Sequence, residues 1–317
     1  MNRRMEEYSI MDKIYDVVII GSGPAGLGAA LYAGRAELDT IIIEKAPLSG
    51  GQIINTYEVD NYPGIPGISG FELGTKFREH CDRMDMNFIT GEVVNFEVED
   101  GIKIITLDDG TIYRGRTAII ATGANPRKLK IDGEERLAGM GVSYCATCDG
   151  AFFRNKITAV VGGGDVAVED AIFLARLCKK VYVIHRRNKF RAVKSYINKL
   201  LSLENVEIIW DSVVEEIEGG EQVEKISVKN VKTGENTELL VDGIFIAIGN
   251  IPNSDVYKNI IRTDSNGYIV AGENCETNIP GVFAAGDVRT KELRQIITAA
   301  SDGANSITAV EKYLSTL

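Results

Sequence analysis

Apolar runs alternate with helix-forming stretches along most of the 317 residues. That rhythm predicts parallel strands joined by crossover helices, an α/β plan. Tyr15–Ile20 is a continuous apolar run expected as a buried strand, and Ala25–Ala36 is rich in helix formers. Thr40–Glu44 is the next expected strand. The plan restarts at Ile157, with strand Thr158–Val161, helix Val166–Leu177 and strand Lys180–His185. These stretches read as two copies of one βαβ unit. Alternating strands are expected between them (Asn87–Glu99, Gly101–Leu107, Thr117–Thr122) and after the second (Val206–Ile209, Ser212–Ile217, Glu224–Asn230, Glu238–Ala247). A strand over Val282–Asp287 and a helix over Gln295–Leu314 close the pattern.

Pro/Gly-rich linkers are missing, so the turns Gly123–Pro126 and Gly249–Pro252 are the expected domain crossings. The fold expected is α/β, with two Rossmann-like three-layer nucleotide-binding domains. Residues 125–251 form the inserted domain, and 11–124 with 252–317 form the discontinuous one.

The net charge of −10 argues against a nucleic-acid surface, which needs a basic stripe. No run approaches the roughly 18–20 apolar residues of a membrane span, and Val17–Ile20 is too short for a secretory leader. A cytoplasmic protein without a membrane partner is expected. Residues before Tyr15 read as a short extension, with Met11 as an alternative start.

Gly21-Ser22-Gly23-Pro24-Ala25-Gly26 follows one expected strand and opens the next helix, as a dinucleotide fingerprint requires. Gly21 suits a tight turn, Gly23 lets backbone approach a pyrophosphate, and Gly26 allows close helix–strand contact. The helix N-terminus adds N–H donors and positive potential. Glu44 ends the following strand, where a carboxylate can accept from both ribose hydroxyls.

A second fingerprint, Gly162-Gly163-Gly164-Asp165-Val166-Ala167, has alanine in place of the last glycine, so helix and strand should sit further apart. His185 stands in the register of Glu44 and opens the basic run Arg186, Arg187, Lys189, Arg191. A carboxylate suits a free 2′-hydroxyl but repels a 2′-phosphate, which guanidinium forks bind in bidentate fashion. The second site should therefore take NADPH rather than NADH. The plainer reading of those arginines is a solvated loop.

Five cysteines in a chain this long do not make a disulfide scaffold. Only Cys145 and Cys148 are close, as Cys-x-x-Cys, a spacing that serves either zinc or thiol redox chemistry. Zinc needs two further ligands, yet there is no second such pair and the histidines are only His80 and His185. A redox dithiol is expected, with a thiolate accessible near neutral pH. Asp149 follows directly. As an ordinary turn residue it would do nothing, but held protonated it could return a proton to a leaving thiolate. Cys178 reads as a core residue, and Trp210 as packing.

On Gly21–Gly26, Gly50-Gly51-Gln52, Asn61-Tyr62-Pro63-Gly64, Ala121-Thr122-Gly123, Gly141–Gly150, His185–Arg191, Gly281–Asp287 and Arg294-Gln295, the chain resembles the bacterial low-molecular-weight thioredoxin reductases, from Asp16 to Leu314. The resemblance implies FAD in the discontinuous domain, and NADPH with the dithiol in the inserted one. Glu44, Lys45, Gly51, Gln52 and Asn61 would line the FAD site together with Thr122, Gly123 and Gly286. Asp287 would meet the ribityl and phosphate region, and Arg294 and Gln295 would lie near the flavin. Gly163, Gly164, Asp165, Val166, His185, Arg186, Arg187 and Arg191 would serve NADPH.

Such enzymes pass electrons from NADPH through FAD and the dithiol to oxidised thioredoxin. They are homodimers whose NADPH domain rotates between half-reactions. By analogy Cys148 would accept electrons and attack the substrate disulfide, and Cys145 would resolve the mixed disulfide. Val166 and Met140 depart from the pattern: relatives often carry a small polar residue and an arginine there.

Four relatives of this fold compete. A reductase serving a peroxidase would carry a further N-terminal dithiol domain, for which the expected layout leaves no room. A ferredoxin-fed reductase should lack the arginine cluster, a ferredoxin–NADP⁺ reductase the dithiol, and a dithiol oxidase the need for NADPH. A redox-sensing flavoprotein without catalysis is the reading from another class.

Overall fold

A computed structural model describes residues 13–56 and 58–317. The extension expected before Tyr15 and the alternative start at Met11 fall largely within residues 1–12, outside the described residues. The chain divides into two compact units. One ends at Asn125 and resumes at Ile251, and the other runs from Pro126 to Asn250. The fold is mixed α/β with parallel sheets, the Rossmann-like arrangement expected.

In the first unit the strand order is Asn87–Thr90, Thr40–Glu44, Ile14–Ile20, Ile112–Ile120, Ile102–Leu107, Val93–Glu99. The first four are parallel, as crossover connections require. Ile112–Ile120 changes partner along its length. Its first half runs antiparallel to Ile102–Leu107, and its last residues run parallel to Val282–Ala284. Alternation along Val17–Ile20 sorts two cores. Val17 and Ile19 face the helices, while Val18 and Ile20 join Tyr15 in the core of Phe96, Ile105 and Tyr257. The alternation breaks at Asp16, where the Asp16 and Val17 N–H groups both reach the Asp39 carbonyl.

Small residues set the helix layer. Pro24–Arg35 buries Ala25, Gly26, Ala29, Ala30 and Ala33, and its Ala25, Gly28 and Ala29 lie against the C-terminal helix Ile296–Leu314. Gly303 of that helix packs so near the Ala25 carbonyl and the Ala29 amide that no side chain fits there. Helix Gly70–Asp82, which the sequence pattern did not predict, starts where the Ser69 hydroxyl accepts from the Glu72 N–H at 3.1 Å.

Two expected strands split. The run Asn87–Glu99 breaks at Gly91, whose N–H donates to the Glu44 carbonyl (2.9 Å), and its halves join opposite edges of the sheet. The run Glu238–Ala247 breaks at Asp242, whose carboxylate and N–H both bond the Ile157 backbone at 2.7 Å. Asn236–Leu240 stays in an antiparallel meander with Ser212–Glu218 and Lys225–Asn230. Gly243–Ile246 enters the parallel sheet of the second unit, ordered Val206–Ile209, Lys180–Ile184, Ile157–Val161, Gly243–Ile246, Val142–Ser143. The crossings are the short strands Ala124–Pro126 and Asn250–Pro252, which pair with each other.

Candidate functional site

The first fingerprint lies at the carboxyl ends of the parallel strands, where open α/β sheets bind ligands. Gly21 adopts φ +103°, and Gly23 caps the helix that Pro24 begins. At Gly26 any side chain would strike the Gly21 carbonyl, so this turn requires its glycine. Glu44 reaches back to the loop: Oε2 accepts from the Ser22 N–H (2.7 Å) and hydroxyl (2.8 Å), and Oε1 from the Ala46 N–H (2.9 Å). The Gly50 N–H donates to the Ser22 carbonyl at 2.8 Å, bringing Gly51 against Gly23. Gly286 packs on Ala25. Asn61 donates to the Gln295 side chain at 2.9 Å, and Thr122 to the Asn253 carbonyl at 2.7 Å. Lys45 and Gln52 are exposed beside this cradle, and Gly123 at φ +70° has open space around it.

Two atoms here lack partners. Asp287 Oδ1 and Arg294 Nε are buried without a hydrogen bond among the described residues. A buried orphan acceptor and an orphan donor are costly unless a ligand satisfies them. A ribityl hydroxyl chain and a polar ring edge are groups that could do so, and the glycine cradle admits a pyrophosphate. The residues present fit FAD. Burial raises the Asp287 carboxyl above its ordinary range, opposed by Lys291 and Arg294.

Beneath Gly286 lies a charged cluster that the sequence pattern did not reveal. Asp302 accepts from the Gly286 N–H (2.9 Å), from Arg289 Nε and Nη2 (2.8 and 2.7 Å) and from Lys291 Nζ (2.9 Å). All three side chains are buried. Burial alone would raise the Asp302 carboxyl, but the bonds from Arg289 and Lys291 hold it below its ordinary value. Arg289 also accepts, through its carbonyl, from Arg294 Nη2 at 3.3 Å.

At the second fingerprint Gly164 caps the helix Asp165–Ala175, and a side chain there would meet nothing within 4 Å, leaving room for a ligand. Asp165 is an exposed tether: its Oδ1 accepts from the Val193 N–H at 2.7 Å. Val166 is exposed. His185 occupies the register of Glu44, yet its ring is turned inward and fills the space beneath Gly163. Its Nε2 pairs with the Lys189 carbonyl at 3.1 Å, and burial lowers its pKa. Arg186, Arg187 and Arg191 are exposed, and the Arg191 N–H ties their loop to the Gly163 carbonyl at 2.8 Å. This guanidinium cluster beside an open glycine turn fits a nucleotide carrying a 2′-phosphate.

Cys145 and Cys148 are joined as a disulfide, with Cα atoms 5.3 Å apart. Cys145 caps the single helical turn Ala146–Asp149. Asp149 is partly buried, and its Oδ2 accepts from the Ser143 hydroxyl at 2.6 Å; that hydroxyl accepts in turn from the Cys145 N–H at 3.1 Å. Burial raises the Asp149 carboxyl and the Ser143 bond opposes it, so the net direction is toward protonation. Ser143 thus links the acid to the backbone of Cys145. The remaining thiols are buried. Burial pushes Cys81 up to about 11, Cys275 up to about 12 and Cys178 upward. Among the described residues no cluster of three or more His, Cys, Asp or Glu could hold a metal.

The signature of the pyridine nucleotide-disulphide oxidoreductases spans residues 15–303, and the chain belongs to that family. It is 47% identical over 308 residues to a Listeria monocytogenes protein named thioredoxin reductase, covering 96% of each. A Bacillus subtilis protein of the same name is 44% identical over 308 residues, covering 96% of each. The crystal structure of thioredoxin reductase from Streptococcus pyogenes superposes with a TM-score of 0.91 at 46% identity, covering 96% of this chain and 99% of that one. The chain is an NADPH-dependent flavoprotein disulfide oxidoreductase, with FAD and NADPH as its cofactors.

Proposed function

We propose that this protein is a thioredoxin-disulfide reductase, moving electrons from NADPH through FAD and Cys145–Cys148 to oxidised thioredoxin. The carrying observation is the Cys145–Cys148 disulfide, closed around one helical turn beside a carboxyl biased toward protonation. The names of the relatives support the same substrate. FAD is assigned to residues 11–124 with 252–317, and NADPH to 125–251. When bound, the two cofactors supply two-electron chemistry that delivers a reduced Cys145–Cys148 pair.

The thiol exchange belongs to this chain's own residues. The Cys148 thiolate attacks the thioredoxin disulfide, forming a mixed disulfide and releasing one thioredoxin thiolate. The Cys145 thiolate then attacks Cys148 Sγ, restoring the internal disulfide and releasing the second thioredoxin thiolate. One proton reaches a leaving thiolate from Asp149, and the other comes from solvent. Because thioredoxin sits near roughly −270 mV, the donor must be at least comparably reducing.

The working form is a cytoplasmic homodimer whose NADPH domain rotates between half-reactions. The short crossings at Ala124–Pro126 and Asn250–Pro252 support the rotation. Anaerobic titration with NADPH tests the whole reading. The parent should take up two electrons more than Cys148→Ser, and only the parent should reduce added thioredoxin. Equal uptake by both would remove the cysteines from the relay.

A further inference from the structure

The three arginines of the basic loop are exposed and lie within six residues, so their charges repel one another. Something other than the guanidiniums must hold that loop in one shape. Three rings stand beneath it. Phe190 and Trp210 lie 4.5 Å apart by centroid, His185 and Phe190 are stacked at 5.5 Å, and His185 meets Trp210 edge-on at 6.2 Å. Phe190 and His185 are buried, and Trp210, the sole tryptophan of the chain, packs against the same core from a different segment.

The residues beside Trp210 bind the loop's backbone. The Ile209 carbonyl accepts from the His185 N–H at 3.0 Å, and the Asp211 N–H donates to the Arg187 carbonyl at 3.3 Å. The Ser212 N–H donates to the His185 carbonyl at 3.0 Å. The start of the arginine run is thus anchored to one turn, and Trp210 is the wedge at its centre.

We propose that Trp210 is a positioning residue for 2′-phosphate selectivity: wedged against Phe190 and His185, it holds Arg186, Arg187 and Arg191 pre-arranged for a nucleotide bearing a 2′-phosphate. The inference rests on the reading of the second fingerprint as the NADPH site. Its energetic basis is preorganisation. A loop already fixed in its binding shape loses little conformational freedom when the phosphate arrives, whereas a loose one must be ordered at that moment. Trp210 acts in this scheme through the three guanidiniums, which meet only the 2′-phosphate, so a nucleotide without that group gains little from it.

The test compares adenosine 2′,5′-bisphosphate with adenosine 5′-monophosphate by calorimetry on the holoenzyme, alongside kcat/KM for NADPH and NADH. In Trp210→Leu the bisphosphate should bind about tenfold more weakly. The monophosphate should change by less than about twofold, and the NADPH-to-NADH ratio should fall in step. Phe190→Leu loosens the stack from its other side and should reproduce the loss, while Trp210→Phe should rescue most of it. An equal loss for both nucleotides would reduce Trp210 to general support, and an unchanged ratio would remove it from selectivity; either overturns the proposal. Should the parent itself show no preference for the bisphosphate, the NADPH assignment falls, and the wedge with it.

Discussion

The two glycine turns have the same plan and are braced by opposite means. Around the first, charge does the bracing. Glu44 bonds the loop's own Ser22, and a buried Asp302 with two cations holds Gly286 against Ala25. Around the second, the residue in the register of Glu44 is His185, which turns inward to support Gly163 within a trio of rings. The difference reflects what each loop must present. A loop offering a carboxylate at its edge can be tied by that carboxylate. A loop offering only cations is better served by a neutral foundation, because a carboxylate beneath it would pair with the arginines in place of the ligand's phosphate.

Removing the charged brace should have the largest effect. Asp302→Ala leaves Arg289 and Lys291 buried without a counter-charge, an expected loss of about 3–5 kcal/mol read by thermal unfolding. Flavin should be lost with it, measured as the absorbance ratio of bound flavin to protein. Next comes a contrast between positions of the fingerprints. Gly26→Ala drives a methyl into the Gly21 carbonyl and should destabilise by about 3 kcal/mol, whereas Gly164→Ala, the counterpart of Gly23, meets open space and should stay within about 0.5 kcal/mol. If both changes cost the same, Gly26 is not the tightly packed position.

Arg187→Ala should lower kcat/KM for NADPH about tenfold and leave NADH use nearly unchanged, since only the former carries the phosphate. At Glu44 no such split between the two nucleotides is expected.

The smallest effects are two pH dependences of opposite sign. Asp302 has its folded pKa below the unfolded one, so its stabilisation is present above the unfolded value and lost as pH falls through the folded value. Asp149 has its folded pKa raised, so the stability tied to its protonated form is full below the unfolded value and lost as pH rises through the folded one. The melting penalty of Asp302→Asn should therefore shrink in acid. Asp149→Asn should melt higher than the parent near neutrality and match it in acid. Steady-state turnover of Asp149→Asn should fall below the parent at low pH and converge with it as pH rises through the parent's Asp149 pKa. Unchanged turnover across pH would end its role as an acid.

Local signals made much of this legible beforehand. The strand–glycine–helix turns and the Cys-x-x-Cys pair depend on neighbours within a few residues, and the α/β plan comes from repeating them. Where the pairing partner was distant, the pattern misled. Asn87–Glu99 and Glu238–Ala247 each look continuous because both halves are apolar enough to be strands, and only tertiary bonds to Glu44 and Ile157 reveal the breaks. Asp302 reads as an ordinary polar position within a helix, since its cations arrive from another segment. His185 was in the right register, but register does not say which way a ring turns.

The concealment of Cys81, Cys178 and Cys275 has a consequence for a molecule whose chemistry is sulfur exchange. A thiol that is sealed in the core and reluctant to ionise neither attacks a passing disulfide nor receives one. Oxidising equivalents therefore meet a single addressable couple, and scrambled internal pairings have no route in the native state. Alkylation of the reduced native protein should stop at two labels per chain, rising to five once denaturant opens the interior.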